Sequence, residues 1–287
     1  MNSLRDYVSE ARRNRSAIGH FNISTLDGVF AVADAAANLK LPVIIGVSEG
    51  ERDYTGVRQI AAIIKSLREE KNQPIFLNAD HTYSFERVKE AIDAGFDAVI
   101  FDGAKLPMKE NIEITKKCVE YGRKSGHDIL MEGELGFIGT SSKVLDEIPP
   151  GAVVKEEQMT KVGDALLFVR GTGIDLLAPA VGNIHGVLRG GDPALNTNRV
   201  KELSEALDMP LVLHGASGNT SDDVIKCVRN GVTIVHVNTE LRLAYRTGLV
   251  KSLSENPDEV APYKFLKPAK LAMQKVIEEK LKILQNS

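Results

Sequence analysis

Eight short runs rich in Val, Ile and Leu recur along this chain, separated by segments with helical spacing. The runs fall at about 17–23 (AIGHFNI), 42–48 (PVIIGVS), 74–80 (PIFLNAD), 97–102 (DAVIFD), 128–135 (DILMEGEL), 175–182 (DLLAPAVG), 210–216 (PLVLHGA) and 233–239 (TIVHVNT). Between them, segments such as TLDGVFAVADAAANL, SFERVKEAIDAG, ENIEITKKCVEYGRKSG and TSDDVIKCVRNG place apolar residues three and four apart. The last three end at a glycine, the usual helix terminator. Strands flanked by helices on every side are parallel and buried on both faces, which explains why the runs are continuously apolar. Eight such units predict an α/β fold, a closed (β/α)8 TIM barrel, and the 287 residues match the roughly 250 this fold takes, as one domain over 1–287. A doubly wound open sheet is the competing arrangement, but it would show a Gly-rich phosphate loop after its first strand, and GHFNIS has none.

Charge narrows the partners. The 36 basic and 39 acidic residues are mixed along the sequence, for a net charge of −3, so no basic face attracts nucleic acid or an anionic membrane. The N-terminal MNSLRDYVSEARRNRS lacks the apolar core of a secretory signal, and no apolar stretch approaches the roughly 20 residues that span a bilayer. Cys118 and Cys227 lie far apart in helical patterns without a CxxC spacing and read as reduced, packed thiols. The expectation is a cytoplasmic protein with neither nucleic-acid nor membrane partners.

Five of the six histidines, His20, His81, His185, His214 and His236, stand at or beside the C-terminal end of an apolar run. In a barrel these ends converge on one face, so histidines distant in sequence can meet at one ion. His81, His185 and His214 would supply three nitrogens and leave a coordination position open, as in catalytic zinc sites. Asp80 directly precedes His81, an arrangement that lets a metal ligand and a proton-transfer group act on neighbouring oxygens. Glu132 and Glu134 are two apart on the fifth run and point to the same side, where a cation would compensate them. They read as an orienter of a metal-bound histidine and an alternate metal ligand. Gly186 with Arg189, the GASG turn of Gly215, Ala216, Ser217 and Gly218, and Asn238-Thr239 before the eighth helix suggest a phosphate site.

Two segments exceed the repeat. The stretch from about Phe137 to Glu157 is too long for an ordinary connection and reads as a lid on the catalytic face. The region from Pro257 to Ser287 carries a further amphipathic helix, expected to cap the barrel or form a subunit contact.

The ordered motifs GHFNIS, PVIIGVSEG, ADH, FDGAKLPMKENI, EGELG, VGNIHG, LHGASG and NTELRLAY, with YKFLKPAK near the end, resemble the class II, zinc-dependent ketose-bisphosphate aldolases over the whole chain. The resemblance implies Zn2+, or another divalent ion, on His81, His185 and His214, with Glu134 as an alternate ligand. It implies that Asp80 exchanges a proton with the C4 oxygen. Gly186, Gly215, Ala216, Ser217 and the strand-8 end His236, Val237, Asn238 and Thr239 match contacts to dihydroxyacetone phosphate, with Asn22 and Ser48 as further substrate positions. Some members hold a monovalent cation beside the phosphate, and a homodimer or homotetramer is implied.

Three departures from the family pattern stand out. His236 replaces the usual asparagine of the eighth strand. The loop after EGELG lacks the family's glutamate following a Gly-Gly pair, which leaves Glu147 as the expected group exchanging a proton at C3. Arg189 replaces a lysine and Ala104 a serine; arginine serves phosphate well. The expected activity is reversible cleavage of fructose 1,6-bisphosphate, with the tagatose compound as the alternative. A zinc hydrolase on the same barrel, or a silent phosphosugar-binding protein, are the rivals from other classes.

Overall fold

The computed structural model describes residues 2–140 and 142–285. Its parallel strands β1 (Ile18–Asn22), β2 (Val43–Val47), β3 (Ile75–Thr82), β4 (Ala98–Phe101), β5 (Leu130–Leu135), β6 (Leu176–Pro179), β7 (Leu211–Leu213) and β8 (Val232–Val237) close into a barrel. Neighbours follow chain order all the way round, and β1 pairs with both β2 and β8. The chain is therefore a (β/α)8 barrel, and the open sheet is excluded.

Strand alternation explains both layers of the core. Ile18, Ile44, Phe76, Ala98, Leu130, Leu176, Val212 and Ile234 point inward and form an apolar floor with Leu4, Val8 and Ala11 of the helix Leu4–Asn14. Each buried Leu, Ile or Phe of this kind stabilises the fold by about 1.5–3 kcal/mol. Their neighbours one position before or after, among them Ile45, Ile75, Leu77, Val99, Met131 and Leu213, face outward and pack under the helices. Two positions beyond the floor the inward residues change character, to His20, Asn78, Glu132, His214 and His236, all buried.

The cap of the barrel is a correction to the sequence reading. The N-terminal helix, started by a Ser3–Asp6 capping box, closes the floor. The C-terminal helix Lys267–Gln285 lies instead in the outer wall, against the helices Leu26–Leu39 and Thr239–Glu255. It buries Ala269, Met273, Ile277, Leu281 and Leu284, a stripe at spacings of four and three that suits a wall position. Gly19 leaves room for this packing, since a Cβ there would lie 3.0 Å from Leu281 Cδ2.

The long segment after β5 is tied to the connection after β6. Its two-residue strand Val144–Leu145 pairs in parallel with Val187–Leu188, in the connection after β6. Ser141, within this segment, lies outside the described residues. Both cysteines are buried and free, and burial pushes their thiols up to about 12. Among the described residues, no helix is long and apolar enough to cross a membrane.

Candidate active site

At the C-terminal mouth of the barrel, three imidazoles from three strand ends converge. His81 Nε2 lies 3.1 Å from His185 Nε2 and 3.2 Å from His214 Nδ1. The far nitrogen of each ring faces an acceptor. His81 Nδ1 donates to Asp102 Oδ2 at 2.9 Å, His185 Nδ1 to the Gly139 carbonyl at 2.7 Å, and His214 Nε2 to Glu132 Oε1 at 2.8 Å. With one proton on each ring, placed on the outward nitrogen, three lone pairs would point at one another, an arrangement that a cation between them relieves. Two nitrogens bound to a tetrahedral Zn2+ at about 2.0–2.1 Å are themselves about 3.3 Å apart, close to the separations here. The outward carboxylate and carbonyl partners are those that orient ligating histidines and raise their basicity.

The surrounding carboxyl groups point the same way. Glu134 Oε2 lies 3.7 Å from His81 Nδ1 and 3.9 Å from His214 Nδ1, and Asp80 Oδ1 lies 3.8 Å from His81 Nε2. Both oxygens are buried without a hydrogen-bond partner. Asp80, Glu132 and Glu134 are all buried, with Asp102 partly so, a concentration of acid that is costly unless a cation compensates it. The donor set therefore fits a divalent ion.

Electrostatics sort the acids into two kinds. Burial pushes the Glu132 carboxyl up to about 8, reinforced by Asp80, and burial together with Asp102 raises Glu134 well above the carboxylate range. Burial would raise Asp80 too, but the charge of His81 and the contact with His236 hold it well below its ordinary value. Asp102 is lowered too: burial would raise it, but its hydrogen bond to His81 and that ring's charge hold it below its ordinary value. Asp80 Oδ2 accepts from Asn22 Nδ2 at 2.9 Å, and the same amide donates to Glu51 Oε2 at 2.9 Å. Among the imidazoles, burial lowers His185 to about 4. Burial alone would lower His81, but Asp80, Asp102 and Glu134 together hold it well above the ordinary value.

Asp80, His81 and His185 open onto a cavity of about 290 Å3 whose wall also includes Asn22, Ser48, Gly186, Gly215, Ser217, His236, Asn238 and Thr239. Ala216 and Val237 lie behind it, buried. Gly186 and Gly215 adopt φ of 107° and 61°, and a Cβ at Gly215 would meet the Ile184 carbonyl oxygen at 2.3 Å, so the chain can pass here only as glycine. Thr239 opens the helix Thr239–Glu255, whose N-terminus borders the same cavity.

Two expected residues are not brought to it. Glu147 is exposed and lines a separate recess with Lys105, Phe137 and Pro149. Arg189 is exposed and paired with Asp146 at 2.9 Å. Conversely, the structure adds groups that the residue-by-residue reading left unassigned. Asp102 directly follows β4 much as Asp80 lies near the end of β3, a parallel that could have marked it. Arg242 pairs with buried Glu51 at 2.6 Å, and no local signal announced that contact between the helix after β8 and the helix after β2.

A family model described as "Fructose-bisphosphate aldolase class-II" matches residues 2–287. The chain is 34% identical over 283 residues to the fructose-bisphosphate aldolase of Staphylococcus epidermidis, covering 98% of this chain and 96% of that protein. It is 33% identical to the fructose-bisphosphate aldolase of Geobacillus stearothermophilus, covering 98% and 95%. The crystal structure of the YdjI aldolase from Escherichia coli K12 superposes with a TM-score of 0.83 at 29% identity, over 98% of this chain and 96% of that one.

Proposed function

The chain belongs to the class-II fructose-bisphosphate aldolase family, and from that premise we propose that it reversibly cleaves fructose 1,6-bisphosphate into dihydroxyacetone phosphate and glyceraldehyde 3-phosphate. One observation carries the reading: the Nε2 of His185 and the Nδ1 of His214 converge on His81 Nε2 at 3.1 and 3.2 Å, with the Asp80 carboxyl 3.8 Å from it.

His81, His185 and His214 would hold Zn2+, with Glu134 as an alternate ligand. Bound there, the ion supplies a sink for the negative charge left on the three-carbon fragment. Asp80, ionised and steadied by Asn22, takes the proton of the C4 hydroxyl. The C4 oxygen becomes the aldehyde as the C3–C4 bond breaks, and the electron pair of that bond stays with the three-carbon fragment. A proton must then reach C3. We assign it to Glu147, which stands in the exposed part of the long segment and reaches the cavity only if that segment moves inward. Gly186, Gly215, Ala216, Ser217, His236, Val237, Asn238 and Thr239 would hold the three-carbon phosphate at backbone amides and the helix N-terminus, with a monovalent cation beside it. Asn22 and Ser48 complete the substrate wall, and Arg189 would reach the phosphate from the rim.

The chain is read as one domain over 1–287, acting in the cytoplasm, a reading that two free buried thiols support. We infer a homo-oligomer, supported by Val250, Leu253, Val260 and Tyr263, which stand exposed on and after the helix Thr239–Glu255. Tagatose 1,6-bisphosphate differs only at C4 and is the second substrate to test. With both sugars supplied at equal concentration, the expected result is cleavage of the fructose compound that a chelator abolishes and Zn2+ restores. Cleavage of neither by Zn2+-loaded protein overturns the reading.

A further inference from the structure

Asp80 and His81 are consecutive, and consecutive side chains of a regular strand point to opposite faces. Both nevertheless line the cavity. Two irregularities in β3 make this possible. Its pairing with β4 runs from Ala79↔Val99 to Thr82↔Phe101, three steps on β3 against two on β4, so β3 carries an extra residue. His81 also adopts φ of 33°, in the left-handed region disfavoured for a residue with a Cβ. The register with β2 ends at Val47↔Ala79, one residue before the kink.

Arg52 occupies the gap. Its Nη1 donates to the Val47 carbonyl at 2.6 Å and to the Asp80 carbonyl at 3.0 Å, and its Nη2 donates to Thr82 Oγ1 at 3.0 Å. The residue is 1% exposed, and these three acceptors are all neutral. A guanidinium buried without a bonded carboxylate is costly, and an apolar side chain would fill the same space without that desolvation. The three acceptors bracket the kink: the end of β2, the peptide joining Asp80 to His81, and the residue that follows. The same short helix, Glu49–Thr55, also carries Glu51, which accepts from the Asn22 amide that holds the Asp80 carboxylate. One helix thus holds the Asp80 backbone directly and its side chain through Asn22.

We propose that Arg52 is a positioning residue, which holds the kinked Asp80–His81 peptide so that the proton-transfer carboxylate and a metal-ligating imidazole face one cavity. Its consequence for turnover rests on the proposed aldolase activity; its consequence for the ligand set does not.

The test uses full-length protein carrying R52Q, R52K or T82V, loaded with Co2+ or Zn2+. The measurements are cooperative thermal unfolding, the Co2+ visible spectrum, Zn2+ affinity by chelator competition, and kcat and KM for fructose 1,6-bisphosphate. R52Q is expected to fold, to shift the Co2+ spectrum and to weaken Zn2+ binding about 10–100-fold, the range for lost partners of metal ligands. Its kcat should fall by more than its KM changes. R52K, which keeps the charge but not the fork, should fall between R52Q and the parent. A folded R52Q with the parent's Co2+ spectrum and Zn2+ affinity overturns the proposal. Should R52Q not fold, R52K and T82V decide: a spectral shift in either supports the role, and parent-like spectra in both overturn it. If the parent protein binds Zn2+ but cleaves no ketose bisphosphate, the aldolase reading fails, while a spectral shift in R52Q still supports the positioning role.

Discussion

The imidazole of His20 lies face to face with that of His236, ring centroids 3.4 Å apart and planes within 1° of parallel, and the two residues are register partners across β1 and β8. His236 stacks in turn on His214, at 3.9 Å and 24°, so one of the three converging rings is backed by a column of two further imidazoles. Gly46 provides the space, since a Cβ there would lie 2.0 Å from His20 Cε1. The five histidines therefore divide: three face the ion site, and His20 and His236 buttress it from β1 and β8.

The column predicts a pH effect on stability. Burial, with the neighbouring His236, holds His20 well below its ordinary value, and burial also lowers His236. The unfolded chain titrates these groups near about 6.5 and so binds more protons than the folded chain below that pH. Their stabilisation is full above about pH 6.5 and declines as pH falls through it. In chelator-treated protein, H20Q should show a smaller drop in urea midpoint between about pH 7.5 and 5.5 than the parent. Equal drops would refute this origin of the acid sensitivity.

Loss of a ligating nitrogen should differ from loss of its support. H214A is expected to lose both bound zinc and cleavage activity. E132Q keeps an acceptor opposite His214 Nε2, 2.8 Å away in the parent, but removes the carboxylate. It should retain zinc with affinity weakened about 10–100-fold. Metal analysis after dialysis against graded chelator concentrations distinguishes the two, and an H214A protein with full zinc content would remove His214 from the ligand set.

Asp80 is predicted to matter for chemistry and not for metal retention. D80A should keep near-parent zinc content while its kcat falls by roughly 10² to 10⁴, the range for lost general acid–base catalysis. Parent-like turnover in D80A would shift the C4 proton transfer to another group.

Glu147 offers the sharpest test of the long segment. If it serves C3, E147A should lose hydrogen exchange at C3 of dihydroxyacetone phosphate by about 10² or more, with little change in folding. Unchanged exchange would mean that the residue stays where the structure has it, exposed in its own recess.

The barrel was legible because parallel strands buried on both faces leave continuous apolar runs, and each run found its strand within a few residues. The convergence of His81, His185 and His214 was legible because strand ends converge, so the three could be read as neighbours from position alone. The supports around them were less so. Glu132 carried a signal, as a carboxylate on an inward-facing position of β5, and it meets His214 as that spacing implied. Arg52 and Arg242 carried none, because their partners are reached through long side chains from separate elements, which no periodicity encodes. The N-terminal helix was hidden by its charges: only Leu4, Val8 and Ala11 are buried, too few to distinguish a stopper from a solvated leader.

That stopper backs the packed floor of the barrel at the end opposite the cavity. With Leu4, Val8 and Ala11 packed under that floor, a sugar and an ion bound at the proposed site would both come and go past the mouth of the cavity, and whatever lay innermost would depart last. An ion seated among the imidazoles is then imprisoned while any phosphosugar occupies the passage, and after cleavage the fragment nearer the rim has to clear it before its companion can follow.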